Sequence, residues 1–168
     1  MALDKITYRD WVRHFDAEAV KDIVLSTGFF SAAEVQIAGS FVADRLTKGL
    51  ESDYHFLFAE INGQVIGYIL YVPVPCSEIS WEIYWVVVQK DYQHQGLGKE
   101  LIRKAEEAIE GFNGRRIYIE TSSRELYKPT RNFYRSCGYE VDVVQSDFYN
   151  IGDSRIFYLK DLTCQKKL

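Results

Sequence analysis

At 168 residues the chain is sized for one compact domain, residues 1–168, long enough to bury roughly two thirds of its extended-chain surface on folding. A composition of 47% apolar residues, with 12 Tyr, 10 Phe and 3 Trp, against 26% charged residues excludes a disordered chain. The net charge of −4 supplies no sequence-wide basic field, which argues against nucleic acid or an anionic membrane as a partner.

The chain opens with a short strand over Ile6 to Tyr8. Asp16 is placed to cap a helix running to about Ser26, with Ala19, Val20, Ile23 and Val24 as its core face and Gly28 ending it. Ser31 and Glu34 predict a capping box for a second helix, with Phe30 stapling onto Val35, a face of Val35, Ala38, Val42 and Leu46, and Gly49 as its stop. Two apolar runs, Tyr54 to Glu60 and Gln64 to Val74, flank Asn62-Gly63, a strong signal for an antiparallel hairpin. Pro73 and Pro75 end the second run, and Ile79 to Val88 completes a meander.

The period then changes. Leu97, Leu101, Ile102, Ala105, Ala108 and Ile109 line one helical face, and Gly111 with Asn113-Gly114 ends it. Arg116 to Glu120 reads as a strand, so Ile79 to Glu120 forms a βαβ unit with its strands parallel. A short helix around Thr130 to Cys137 stops at Gly138, and the runs Tyr139 to Tyr149 and Arg155 to Leu159 close as a hairpin across Asn150-Ile151-Gly152-Asp153.

No apolar run approaches the roughly 20 residues that span a bilayer. The first ten residues mix Asp4, Lys5, Arg9 and Asp10 in place of a hydrophobic signal core, so a cytoplasmic location is expected. Cys76, Cys137 and Cys164 are too few and odd in number for a disulfide framework, and no Cys or His pair stands at metal-ligand spacing, so no metal is assigned.

The segment between the strand Ile79 to Val88 and the long helix, Gln89-Lys90-Asp91-Tyr92-Gln93-His94-Gln95-Gly96-Leu97-Gly98-Lys99, carries its chemistry mostly in the backbone. The first turn of a helix has N–H groups without internal partners and about half a positive charge, which suits an anion, and Gly96 and Gly98 permit unusual φ and close approach of a diphosphate. A dinucleotide fingerprint fails at Leu101, where a third glycine is needed, and a Walker-type loop fails at Glu100, where Ser or Thr is needed. The pattern that survives, Gln93-x-x-Gly96-x-Gly98, resembles the acyl-coenzyme A pyrophosphate loop of the GNAT N-acetyltransferase superfamily, whose pattern is Gln or Arg, two residues, Gly, one residue, then Gly or Ala. The resemblance covers Gln64 to Tyr149, including Phe133-Tyr134 before Gly138-Tyr139.

This resemblance implies an α/β (α+β) fold with a mixed, mostly antiparallel central sheet, a central parallel βαβ unit and helices on both faces. It implies acetyl-CoA as cosubstrate and direct transfer of the acetyl group to a primary amine of a small molecule or peptide, without an enzyme-bound intermediate. An alkyl ammonium must lose a proton before it can attack, and Glu82, on the strand entering the loop, matches the position of the family's carboxylate base; Glu78 and Glu120 are rivals. The leaving thiolate needs a proton donor, and Tyr134 matches the second aromatic of the family's pair, with Phe133 assigned to packing.

By the same resemblance Val86, Val87 and Val88 offer backbone groups to the cofactor, Gln93 orients the loop, Leu97 and Gly98 belong to the phosphate cradle, and His94, Gln95 and Lys99 are within reach of phosphate oxygens. Many relatives carry an Asn after the strand at Arg116 to Glu120; here Thr121 or Ser123 stands in through a hydroxyl. Cys137 has no His near it in sequence and is assigned to packing. Phe29, and Tyr84 on the same strand side as Glu82, are the acceptor-binding candidates, with Ser146 to Tyr149 flanking. An acyl-CoA sensor of the same fold without turnover, or a diphosphate-binding protein of another class, would share the loop, and a homodimer is compatible with the sequence.

Overall fold

The computed structural model describes residues 6–163; Cys164 and the charged residues Asp4 and Lys5 lie outside them. The elements are β1 (Thr7–Arg9), α1 (Asp16–Ser26), α2 (Ala32–Lys48), β2 (His55–Ile61), β3 (Gln64–Pro73), β4 (Ser80–Val88), α3 (Leu97–Gly111), β5 (Arg116–Ser122), α4 (Lys128–Ser136), β6 (Glu140–Asn150) and β7 (Asp153–Asp161). The strands form one sheet of order β1-β2-β3-β4-β5-β7-β6. It is mixed and mostly antiparallel, with β4 and β5 as its parallel pair, which is the fold class expected from the sequence. Among the described residues no helix is long and apolar enough to cross a membrane.

The chain divides into two compact units, one made of the residues up to Val72 with Trp85–Ala105, the other of Pro73–Tyr84 with the residues from Glu106 onward. In the first unit, Asn62 (φ 51°) and Gly63 (φ 81°) both take the left-handed conformation that a two-residue hairpin turn requires. The hairpin register sets Phe56 opposite Leu70 and Phe58 opposite Tyr68 on one face, packed with Val20, Ile23 and Val24 of α1 and Val35 and Val42 of α2. On the other face Gly67 lies opposite Ala59, and a Cβ on Gly67 would meet Leu101 Cδ1 of α3 at 3.4 Å and the Val87 carbonyl at 3.2 Å. Ser31 closes the capping box with Glu34, and Phe30 stacks on Trp85 with ring centroids 5.0 Å apart.

Asp16 departs from its expected role. Phe15, not Asp16, is the N-cap residue of α1, and it makes no side-chain cap bond. The Asp16 carboxylate is fully buried and accepts the Arg13 backbone N–H at 2.6 Å and both terminal nitrogens of Arg9 at 2.8 and 2.9 Å. Arg9 in turn donates from Nε and Nη2 to Glu60 Oε1 at 2.8 and 2.7 Å. A charge-assisted partner 7 residues upstream thus outcompetes the local cap. The network ties β1, α1 and β2 together below the solvent surface, where a guanidinium is retained only because two carboxylates compensate it.

In the second unit, Ser80, Trp81 and Glu82 pair with Arg116, Ile117 and Tyr118, and β5 pairs with β7 along its whole length. Alternation divides the side chains between two faces. Ile117, Ile119, Thr121, Tyr158 and Lys160 share the face with Trp81, whose ring stacks 5.3 Å from Phe112 at the end of α3. Gly114 is required there, since a Cβ would come within 2.4 Å of Ile109 and 2.6 Å of Trp81. Lys160 Nζ donates to both carboxylate oxygens of Glu106 on α3 (2.9 and 2.8 Å) and to the Cys137 carbonyl at 2.9 Å, while the Tyr139 hydroxyl donates to Glu106 at 2.9 Å. The opposite face carries Glu82, Tyr118, Glu120, Phe157 and Arg155, all partly exposed. Helix α4 begins two residues before the expected Thr130, because Pro129 fits its first turn and a 3-10 turn at Glu125–Tyr127 leads into it.

Replacing Arg9 by Met leaves the buried Asp16 carboxylate without a cation and Glu60 with only Arg13, 3.3 Å away. Arg9→Met is expected to lower unfolding free energy by about 3–5 kcal/mol, measured by urea denaturation. A loss below about 1 kcal/mol would show the network to be dispensable.

Candidate active site

In the first unit the glycine loop joins β4 to α3. The Gln89 backbone N–H donates to the Ile66 carbonyl at 2.9 Å, which anchors the loop's start on β3, and the Lys90 N–H donates to Ser26 Oγ at 3.2 Å. The Gln93 side-chain amide reaches back to the Val88 carbonyl at 3.0 Å, and the Gln95 amide to the Asp91 carbonyl at 3.1 Å. Both glutamine side chains therefore brace the loop, and Gln95 is engaged internally although the sequence pointed it toward phosphate. His94 (φ 60°) and Gly96 (φ 85°) are the left-handed positions. Gly98, whose missing Cβ permits close approach, lies in the first turn of α3. A Cβ on Gly96 would have no heavy atom within 4 Å, so open space lies over this position. With the first intrahelical bond running from the Glu100 N–H to the Gly96 carbonyl (3.1 Å), the N–H groups of Leu97, Gly98 and Lys99 are the helix's unpaired donors by position. His94 and Lys99 are exposed, and of Val86, Val87 and Val88 only Val87 is buried.

In the second unit Glu82 occupies the last paired position of β4, across from Tyr118. Burial raises its carboxyl to about 7, with the neighbouring charge of Glu120 adding to the rise and Arg155 opposing it. Glu120 itself is paired: Arg155 Nη1 lies 3.3 Å from its Oε2 and the Tyr149 hydroxyl 3.4 Å from its Oε1. Arg155 donates from Nε to Gln145 at 2.9 Å, and its guanidinium lies 3.9 Å from the Phe148 ring centroid and 4.6 Å from that of Phe157. The Tyr149 hydroxyl is pushed up to about 12, first by burial and then by Glu120. Of the three carboxylates weighed from sequence, Glu78 sits exposed in the β3–β4 turn, Glu120 is ion-paired, and Glu82 has the environment of a proton acceptor working near neutral pH. Tyr84 is on the Glu82 side of β4 and 45% exposed.

On the helix-covered face, Tyr134 is 8% exposed, with its ring 6.0 Å from Tyr158 and 5.7 Å from Phe133. Its carbonyl accepts the Cys137 and Tyr139 backbone N–H groups at 3.0 and 3.1 Å, which ends α4 and fixes the backbone at this residue. Burial raises its hydroxyl well above the ordinary tyrosine value, so it keeps its proton throughout the neutral range. Of the hydroxyls at the end of β5 and just past it, Ser122 bonds to Asp153 and Ser123 accepts the Ser154 N–H at 2.8 Å, while Thr121 Oγ1 is buried without a partner. Phe29 belongs to the first unit and packs edge-on against Phe30 with centroids 5.2 Å apart.

Arg155 was not singled out from the sequence. Its signal was the alternation Arg155-x-Phe157-x-Leu159, which puts a cation and two apolar side chains on one strand face opposite Ser122, Glu120 and Tyr118.

The profile of the acetyltransferase (GNAT) family matches residues 24–139. An N-alpha-acetyltransferase of Sulfurisphaera tokodaii is 25% identical over 113 residues, which is 61% of this chain and 66%, just under two thirds, of that protein. A crystal structure from Desulfovibrio desulfuricans, described as a GNAT-family acetyltransferase, superposes with a TM-score of 0.91 at 34% identity, covering 94% of this chain and 99% of the other. An aminoglycoside 6'-N-acetyltransferase solved with coenzyme A shares the fold, with a TM-score of 0.72 at 15% identity over 94% of this chain and 97% of that one. With more than half its length inside the family profile and a full-length structural match at 34% identity, this chain belongs to the GNAT acetyltransferase family.

Proposed function

We propose that the chain is an acetyl-CoA-dependent N-acetyltransferase, working as a single domain, that transfers the acetyl group directly to a primary amine of a small molecule or peptide. The observation that carries this reading is Glu82, a half-buried carboxyl held near 7 on the open face of the second unit. The residues of the glycine loop fit the cosubstrate: the space over Gly96 admits a bulky diphosphate, and the first-turn N–H groups of Leu97, Gly98 and Lys99 present donors and positive potential to it. Bound acetyl-CoA supplies the activated thioester.

The protein's own contribution is to move two protons. An acceptor arrives as an ammonium, and Glu82, about half deprotonated at neutral pH, takes its proton and becomes the neutral form that its surroundings favour. Glu120, paired with Arg155 and the Tyr149 hydroxyl, sets a second carboxyl group beside Glu82 on this face. Tyr134, fully protonated, gives its proton to the sulfur as the thioester bond breaks. Tyr84 and the aromatic pair Phe148 and Tyr149 are assigned to contact the acceptor on this unit.

Gly96→Glu introduces a side chain at φ 85° and a negative charge beside the α3 N-terminus, and it is expected to abolish acetyl-CoA binding in titration calorimetry; retained affinity would contradict the loop assignment. With an active amine found by thiol release, kcat/KM is expected to rise with pH up to about 7, and Glu82→Gln to lose about 10²-fold or more in kcat along with that acidic limb. Tight binding with no thiol release across an amine panel would favour a sensor.

Glu82 also has a stability signature. Its folded value lies above the ordinary 4.5, so the folded state binds the proton more tightly, and stability conferred by the neutral carboxyl is lost as pH rises from about 4.5 through about 7. Glu82→Gln is therefore expected to melt no lower than the parent at pH 8; a clear drop there would make Glu82 a structural residue.

A further inference from the structure

On the open face of the second unit the Arg155 guanidinium is held by four neighbours. Its carbon lies 3.9 Å from the Phe148 ring centroid and 4.6 Å from that of Phe157. Its Nε donates to Gln145 Oε1 at 2.9 Å, and its Nη1 stands 3.3 Å from Glu120 Oε2. Arg155 is directly across from Gln145 of β6 and from Ser122 of β5, which makes Glu120 diagonal to it on the same side. A partly exposed ion pair alone stabilises little, because ordering a long side chain offsets the screened attraction. Two rings and an amide that already fix the guanidinium remove much of that entropy cost and aim the cation at one carboxylate.

That carboxylate is one of two in the neighbourhood. Glu82 is across from Tyr118 in the parallel pair, and Glu120 is two residues further along β5 on the same side, so the two carboxyls are diagonal neighbours. Their surroundings differ. Glu120 has a partner on each oxygen, Arg155 on Oε2 and the Tyr149 hydroxyl on Oε1 at 3.4 Å. Among the described residues, none forms a hydrogen bond or ion pair with the Glu82 carboxyl. Arg116, two residues before Tyr118 on this side, is 3.7 Å from Asp161 of β7 and so is taken up by a different acid. Tyr84 of β4, Tyr118 of β5 and Tyr149 of β6 are the titratable hydroxyls of this face.

We propose that Arg155 is a positioning residue for Glu82: by occupying Glu120 it leaves Glu82 as the carboxyl of this face that takes the proton of the acceptor's ammonium. This rests on Glu82 being the base. Two like carboxyls set side by side divide a proton between them, and an ammonium then has two competing acceptors. A cation fixed on one of them breaks the tie. A guanidinium suits the task because it has donors and no acceptor and keeps its proton throughout the neutral range, so it engages a carboxylate without entering the proton transfer. Its charge also acts on Glu82 directly, opposing the rise that burial and Glu120 produce, which keeps the base from being fully protonated at neutral pH.

The test is the titration of the Glu82 carboxyl, followed by site-resolved carbon NMR in the free protein, for the parent, Arg155→Met, Glu120→Gln and the double variant. Methionine keeps an apolar stem against Phe148 and Phe157 while removing the charge. Arg155→Met is expected to move the Glu82 midpoint up by about half a pH unit or more, and Glu120→Gln to move it down, with the double variant between the two. With an active amine the acidic limb of kcat/KM should follow, so that Arg155→Met slows the enzyme about two- to fivefold at pH 7 and regains most of its rate above about pH 8.5. A merely structural arginine would lower the melting temperature and leave both pH curves in place. A parental midpoint near 7 that Arg155→Met does not move would overturn the arginine's role and leave the base assignment standing. A parental midpoint near 4.5 would remove the base assignment, and the arginine's role with it.

Discussion

Parallel pairing of Ser80–Glu82 with Arg116–Tyr118 is the constraint on which the chemistry of the second unit depends. Strand side chains alternate with period two, so a slip of one residue would turn Glu82 toward the helix-covered face and send Trp81 or Ile83 to the open one. Trp81, stacked on Phe112 and pressed against Gly114 by the turn after α3, makes such a slip costly. The apolar side of β4 thus holds the register, and the register decides where the carboxylate of Glu82 stands. A parallel pair needs a long crossover, and here α3 provides it while its first turn presents donors to an anion.

The same strand pair separates two kinds of proton chemistry. On the open face the partly exposed Glu82 shares its surroundings with Glu120 and Arg155, and burial and like charge together bring its proton affinity near neutrality. On the covered face Tyr134 lies on the buried side of α4, and its hydroxyl holds its proton tightly. One sheet therefore carries two strongly shifted protonatable groups, one on each side, each shifted mainly by desolvation. Lys160, bonded to Glu106 and to the Cys137 carbonyl at the end of α4, fixes the helix that carries Tyr134.

What could be read from the sequence was what local chemistry decides. The Asn62-Gly63 turn and the Ser31–Glu34 capping box depend on residues within a few positions of each other, and both are present. The parallel crossover followed from a change of period at a glycine-marked loop. Asp16 was misassigned because its partner is Arg9, linked further to Glu60 on β2, a contact 51 residues away along the chain that no local rule reveals. In the loop, both glycines permit unusual φ, and only Gly96 uses it: helix α3 starts early enough to include Gly98, and His94 takes the second left-handed position. The pairing of Arg155 with Glu120 emerges only from cross-strand register, which brings together positions more than 30 residues apart.

The central claim is that burial, more than any pairing, makes Glu82 a base suited to neutral pH. Site-resolved carbon NMR of the Glu82 carboxyl, titrated in the free protein, tests it without requiring a known acceptor. A midpoint near 7 is the predicted result, falling toward 4.5 on unfolding in urea. A midpoint near 4.5 in the folded protein would contradict it, leaving the open face with no group poised to take a proton from an ammonium.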